Sequence, residues 1–188
     1  MSTIWYTSDH HFGHKNIREY ENRPYNWMDI AINHWNEVVK DGDIVIHLGD
    51  FAFASGDYAA YILSCLNGRK AIVLGNHDRS AKQMLEIGFE DVWGSRKQAK
   101  YGENQFWLRY TDIAENGQNI PLCLSHAPLS ELKGFSRFNI HGHIHSNGYP
   151  AEMGGRKPWH VNVSVDVNDY YPVNINDILN GYRGRGEE

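Results

Sequence analysis

Apolar and polar positions change period along this chain in a regular order. Ile4-Trp-Tyr-Thr7 is a short β-rich run that empties into the polar string Ser8-Asp-His-His-Phe-Gly-His14. From Met28 the period turns helical, with Met28, Ala31, Ile32, Trp35, Val38 and Val39 forming one apolar stripe and His34 falling off it into solvent. Lys40-Asp-Gly-Asp43 ends that helix, and Ile44-Val-Ile-His-Leu48 reads as a buried strand closing on Gly49-Asp50. A second amphipathic segment, Asp57 to Asn67, places Tyr58, Tyr61, Ile62, Cys65 and Leu66 on one side. Then comes Ala71-Ile-Val-Leu-Gly-Asn-His-Asp78, a buried strand delivering three chemically active side chains at its carboxyl end. Gly75 permits a positive-φ turn and a close backbone approach there. Strand and helix alternate through this half, which predicts parallel strands with right-handed crossovers.

The second half is richer in strands. A helix is expected around Ala81 to Ile87, and Val92 to Tyr110 reads as short strands and turns. Gln105 to Asp112 pairs across Glu115-Asn-Gly117 with Ile120 to Leu124 as a hairpin. The latter run ends at Ser125-His-Ala-Pro128, where Pro128 stops the strand. A polar loop from Leu129 to Asn139 leads into Ile140-His-Gly-His-Ile-His145. Val161, Val163, Val165 and Val167 alternate with Asn162, Ser164 and Asp166 as a half-buried strand. A short helix near Ile175 to Leu179 precedes a Gly/Arg-rich tail, about 181–188, expected to fray.

At 188 residues the chain is most simply one domain, 1–188. The formal charge of −5 argues against a strong nucleic-acid-binding surface. Cys65 and Cys123 read as small buried hydrophobes in a reducing compartment, and no targeting segment or membrane span is apparent, so a cytoplasmic protein is expected. Oligomeric state is not legible. The composition departs from the ordinary in one respect, its eleven histidines, several at strand ends beside carboxylates. Asp9 and His11 share a face if extended geometry persists, with His10 turned away; His141, His143 and His145 share one likewise, and geometry does not choose among them. His14 and Arg18 follow on a turn into a short helix, either reaching a substrate phosphate or lying on the surface.

Together the strand tips present Asp9, His11, Asp50, Asn76, His77, His126, His143 and His145. Imidazole and carboxylate suit transition metals such as manganese, iron, zinc or cobalt better than calcium or magnesium; manganese is the ion expected, with iron, zinc, nickel or cobalt as alternatives. Eight such groups exceed the needs of one tetrahedral ion, and two ions sharing a carboxylate are the economical solution. In order, Asp9-His10-His11, Gly49-Asp50, Gly75-Asn-His-Asp78, His126 and Gly142-His-Ile-His145 resemble the motifs of the calcineurin-like metallophosphoesterases, in their small bacterial and phage form.

The resemblance implies an α/β fold, a four-layer α/β/β/α sandwich of two mixed sheets with a dimetal site at the strand ends. It implies that Asp9, His11, Asp50 and His145 hold one divalent ion, that Asp50, Asn76, His126 and His143 hold the other, and that His141 lies outside the set. Two ions lower the pKa of a shared water, and the resulting hydroxide attacks phosphorus in line. His77 then serves as general acid, with Asp78 orienting its imidazole or capping the next helix. Arg18, Arg79 and Arg137 are candidate phosphate clamps. The expected activity is hydrolysis of small phosphodiesters or nucleotides; a phosphomonoesterase and a non-catalytic metal-binding scaffold are the alternatives.

Overall fold

A computed structural model describes residues 2–102 and 104–182. Among the described residues nine strands form two mixed sheets. In the first, β1 (Ile4–Thr7), β2 (Ile44–His47), β3 (Arg69–Val73) and β4 (Asp91–Trp93) run parallel, and β9 (Val173–Asn174) pairs antiparallel with β1, giving the order β4-β3-β2-β1-β9. In the second, β5 (Leu108–Ile113) is antiparallel to β6 (Asn119–Leu124), which continues in parallel to β7 (Phe138–His141) and β8 (His160–Asn162). The hairpin expected across Glu115–Gly117 is the β5–β6 pair.

Five α-helices among the described residues accompany the strands: α1 (Ile17–Tyr20), α2 (Trp27–Val38), α3 (Gly56–Ser64), α4 (Ala81–Glu86) and α5 (Ile175–Leu179). Trp27, Ala31 and Trp35 of α2, Ala59, Ile62 and Leu63 of α3 and Met84 of α4 pack with Val45 and Ile72 of the first sheet into one core. A second core joins Tyr6, Ile46 and Val73 to Ile120, Leu122, Leu124, Ile140 and Val161 across the sheets, with Ile175 and Ile178 of α5. One backbone bridge, Ser8 to Ser164, sews the sheets together directly beside the strand tips.

Three local expectations change. The buried face of α3 is Ala59, Ile62 and Leu63, while Tyr58 and Tyr61 face outward, 37% and 63% exposed. His34 is not simply solvated: its Nδ1 lies 2.6 Å from the Asp169 carbonyl and its ring stacks on Tyr171 at 4.1 Å. The valine run is a strand only through Asn162. Asn168 then donates from Nδ2 to the Ser164 carbonyl at 2.6 Å, and the chain coils into a 3-10 turn over Val165–Val167. Asn162 and Ser164 are as buried as Val161, Val163 and Val165 beside them. Of the tail, Gly181 and Tyr182 are held to α5, the Tyr182 amide donating to the Asp177 carbonyl at 3.0 Å; residues 183–188 lie outside the described residues.

Candidate metal centre

The loops after β1, β2, β3, β6 and β7 converge at one edge, as the alternation of parallel strands requires. Their backbone does not stay extended. Asp9, His11, Asp50, His143 and His145 take φ of 60°, 53°, 59°, 71° and 51°. Each such residue costs on the order of 1 kcal/mol or more, and that strain is concentrated on the proposed ligands. The two-residue spacing therefore selects the right side chains for a reason other than strand alternation. His141 stays on β7 with Nε2 3.0 Å from the Tyr149 hydroxyl, whereas the left-handed residues beyond it swing His143 and His145 into the cluster. His10 is fully buried, stacked on Phe12, with Nδ1 3.0 Å from His47 Nε2. Gly75 needs no positive φ; it is required for close approach, since a Cβ there would lie 2.1 Å from Asp50 Oδ1. A Cβ on Gly142 would meet Asp9 Oδ2 at 2.2 Å.

The two carboxylates are each tied down by one oxygen. Asp9 Oδ2 accepts from Ser8 Oγ at 2.6 Å, Ser164 Oγ at 2.7 Å and the His143 amide at 2.8 Å. Its Oδ1 is buried without a hydrogen-bond partner, 3.9 Å from His145 Nε2. Asp50 Oδ1 accepts from the His77 amide at 2.8 Å, and its Oδ2 faces His126 Nε2 at 3.4 Å and His11 Nε2 at 3.6 Å. His126 donates from Nδ1 to the Leu48 carbonyl at 2.7 Å, leaving Nε2 3.2 Å from Asn76 Oδ1 and 3.1 Å from His143 Nδ1. Asp9, His11 and His145 thus form one donor group and Asp50, His126 and His143 another, with ligand atoms in each within 4.8 Å of one another.

This donor set fits cations. Atoms whose lone pairs converge at 3.1–3.4 Å repel unless a proton or a metal sits among them. Without metal, protons serve. Burial opposes the charge on His126, but Asp50 outweighs it and pushes the imidazole up to about 9. Burial opposes His145 likewise, and Asp9 with Asp166 raises it to about 9. Asp50, which burial alone would raise, is held at about 2 by His126, and Asp9 is held low by its histidines. Metal binding would displace those protons.

Other predicted residues divide. His77 is exposed at the lip of the cluster, its ring 5.5 Å from that of His11. Asp78 neither orients His77 nor caps α4, whose cap is Ser80. Its carboxylate accepts from the amides of Asp50, Phe51 and Gly75 at 2.8, 2.9 and 2.7 Å, locking two loops together. Arg79 donates to the Ala54 carbonyl and lines an open groove of about 340 Å³ with His77. His14 stands 5.9 Å from His11, ring to ring, and Arg18 lies over Tyr25. Arg137 is misplaced as a clamp: it precedes β7, at the opposite end from the site, about 13 Å of strand away, with its guanidinium over Phe138.

Sequence reasoning missed Arg23, Asp166 and Arg96. Arg23, 4% exposed, grips Asp166 through Nε at 2.7 Å and Nη2 at 2.8 Å, and donates to the carbonyls of Asp9 and His10. Asp166 Oδ2 in turn lies 2.7 Å from His145 Nδ1, where an outer carboxylate would orient the imidazole toward an ion. The signal for Asp166 was a charge set among buried valines; Arg23 offered none. Arg96 donates from Nε to the Asn76 carbonyl at 3.4 Å and shares the groove of His77.

Comparison with known proteins bears on this edge. The chain matches the family described as Calcineurin-like phosphoesterase over residues 2–181. It is 34% identical to the uncharacterized protein MJ1445 of Methanocaldococcus jannaschii, over 95% of this chain and 90% of that one. The Gene 66 proteins of Mycobacterium phages L5 and D29 are 28% and 27% identical, covering 88% and 96% of this chain and 88% and 100% of their own. A crystal structure of the protein of unknown function AQ665 from Aquifex aeolicus superposes with a TM-score of 0.72 at 23% identity, over 96% of this chain and 99% of that one, which shows the same fold. With donors from both sheets gathered at the strand ends and the match spanning nearly the whole sequence, the chain belongs to the calcineurin-like phosphoesterases.

Proposed function

We propose that this protein is a dimetal-dependent phosphoesterase that hydrolyses small phosphodiesters or nucleotides in the cytoplasm. The observation that carries the reading is the pair Asp9 and Asp50, each pinned through one oxygen and turned with the other into imidazoles. Asp9, His11, Asp50 and His145 would hold one ion and Asp50, Asn76, His126 and His143 the other, with Asp50 shared. Two divalent transition-metal ions, for which we propose manganese, would supply Lewis-acid polarisation of the phosphoryl oxygens and a hydroxide nucleophile at neutral pH. The chain supplies the rest. The His77 amide bond to Asp50 keeps that residue at the lip, where its ring can give a proton to the departing oxygen. Arg79 and Arg96, beside it in the groove, offer guanidinium donors to the phosphate. The groove is open, so the leaving group can be large, which favours diesters.

The test is hydrolysis of bis-p-nitrophenyl phosphate and p-nitrophenyl phosphate by metal-stripped protein with Mn²⁺ added back. Diester preference is expected, and His77→Ala should lower kcat by about 10²–10⁴-fold with metal content unchanged. Preference for the monoester would make the protein a phosphatase. Silence on both substrates with two ions bound would overturn the enzymatic reading.

A further inference from the structure

Large aromatic side chains exposed to water are gathered on one flank of the metal centre. Phe53 is 51% exposed, Tyr20 67% and Tyr25 87%. They form steps leading away from the donors. The His14 ring stands 5.9 Å from that of His11, Phe53 stands 4.8 Å from His14 and 5.8 Å from His77, and Tyr20 stands 6.0 Å from His14. Arg18 covers Tyr25 at 5.2 Å. Beside the steps runs a groove of about 380 Å³ whose lining includes His14, Lys15, Arg18 and Tyr25. The shelf is built into the fold, because the Phe53 amide donates to the Phe12 carbonyl at 2.9 Å next to the bridge between Phe12 and Ala52.

Neither core packing nor the metal site uses these rings. A cluster of exposed aromatics interleaved with cations is the arrangement that stacks planar bases while attracting the phosphates that carry them. The groove on the other flank, reached past Tyr101, has Lys133 paired with Glu131, and Glu152 beside them, so it offers a phosphate ester no unpaired cation among its described lining residues. We propose that the shelf of His14, Phe53, Tyr20 and Tyr25 is a nucleobase subsite, so that the ester hydrolysed at the metal centre is a nucleotide one. The base stacks at the His14–Phe53 step, one ring beyond the ligands, and Lys15 and Arg18 meet any further phosphate.

This inference rests on the phosphoesterase reading, and the experiment separates the two. Calorimetric titration of the zinc-loaded full chain with adenosine 5′-monophosphate and with ribose 5-phosphate compares the same phosphate with and without a base. The nucleotide is expected to bind about 5- to 100-fold more tightly, the range that stacking of one base supplies. Phe53→Ala, at a half-exposed position where the fold tolerates truncation, should shrink that ratio toward one, and Tyr25→Ala should shrink it less. Equal affinities for the two ligands, no binding of either, or a ratio that Phe53→Ala leaves intact would overturn the subsite. Hydrolysis of bis-p-nitrophenyl phosphate by the same wild-type preparation tells the failures apart: turnover without base preference sinks the subsite alone, and absence of both turnover and phosphate binding sinks the phosphoesterase reading with it.

Discussion

The donor group around Asp9 and the one around Asp50 are supported in different ways. Behind Asp9, His11 and His145 stands a buried charge network: Arg23, from the segment before α2, and Asp166, from the turn after β8, meet and orient His145. Behind Asp50, His126 and His143 the support is mostly backbone. The Leu48 carbonyl fixes His126, and Asp78 ties together the amides of Asp50, Phe51 and Gly75. The first group depends on two side chains far apart in sequence; the second is written into the path of the chain itself. Ions held at the two groups should therefore differ in how readily a single substitution loosens them.

The largest effect is expected from Asp50→Asn, which removes the oxygen facing both groups. Diesterase activity should vanish and metal content, measured by plasma emission, should fall below two per chain. Asp166→Asn should instead separate the groups, weakening one calorimetric metal-binding step about 10- to 100-fold and leaving the other in place. If both steps weaken equally, the division of support is wrong. Asp78→Ala leaves three buried amides without an acceptor, so a loss of about 1–3 kcal/mol in urea unfolding is expected, with metal binding at the Asp50 group weakened more than at the Asp9 group.

A further set of effects comes with pH. In metal-free protein His126 and His145, raised to about 9 by their carboxylates, stabilise the fold fully below about 6.5 and cease to do so as pH climbs through 9. His47 and His141, pushed by burial down to about 3, act oppositely: their contribution is complete above about 6.5 and is lost as pH falls toward 3. Melting temperature should peak near neutrality without metal. Metal loading should abolish the alkaline decline and leave the acid one.

Much of this was readable in the chain. Strand tips carrying Asp9, Asp50, Asn76, His126 and the final histidines followed from apolar runs ending in glycine and polar residues, and the swing from helical to alternating period matched the order of elements. Two kinds of feature were not readable. The first is backbone hand: nothing in the spacing of His141, His143 and His145 says that only the last two turn through positive φ. The second is partnership at long range. Arg23 and Asp166 lie 143 residues apart, so their ion pair exists only once both sheets have met. Asp78 failed for the same reason: a carboxylate next to a histidine in sequence was assigned to its neighbour, yet its hydrogen bonds run to three amides, two of them on a loop nearly thirty residues earlier. Arg137 shows the limit of residue type alone, since the wrong end of a strand disqualifies even an ideal guanidinium.

The bridge between Ser8 and Ser164 has a consequence for how the protein comes into being. Each donor group draws on both sheets, joining Asp9 and His11 to His145, and Asp50 to His126 and His143. A ribosome making this chain will have released the first sheet's parallel strands long before the last histidine of either group emerges. During that interval the early carboxylates have Ser8, His11 and the His77 amide beside them but lack the later histidines, and the apolar face that will meet the second sheet is bare. Neither donor group is complete until the second sheet's loops have been made, and no fragment ending before residue 143 can hold the full three-residue set of either group.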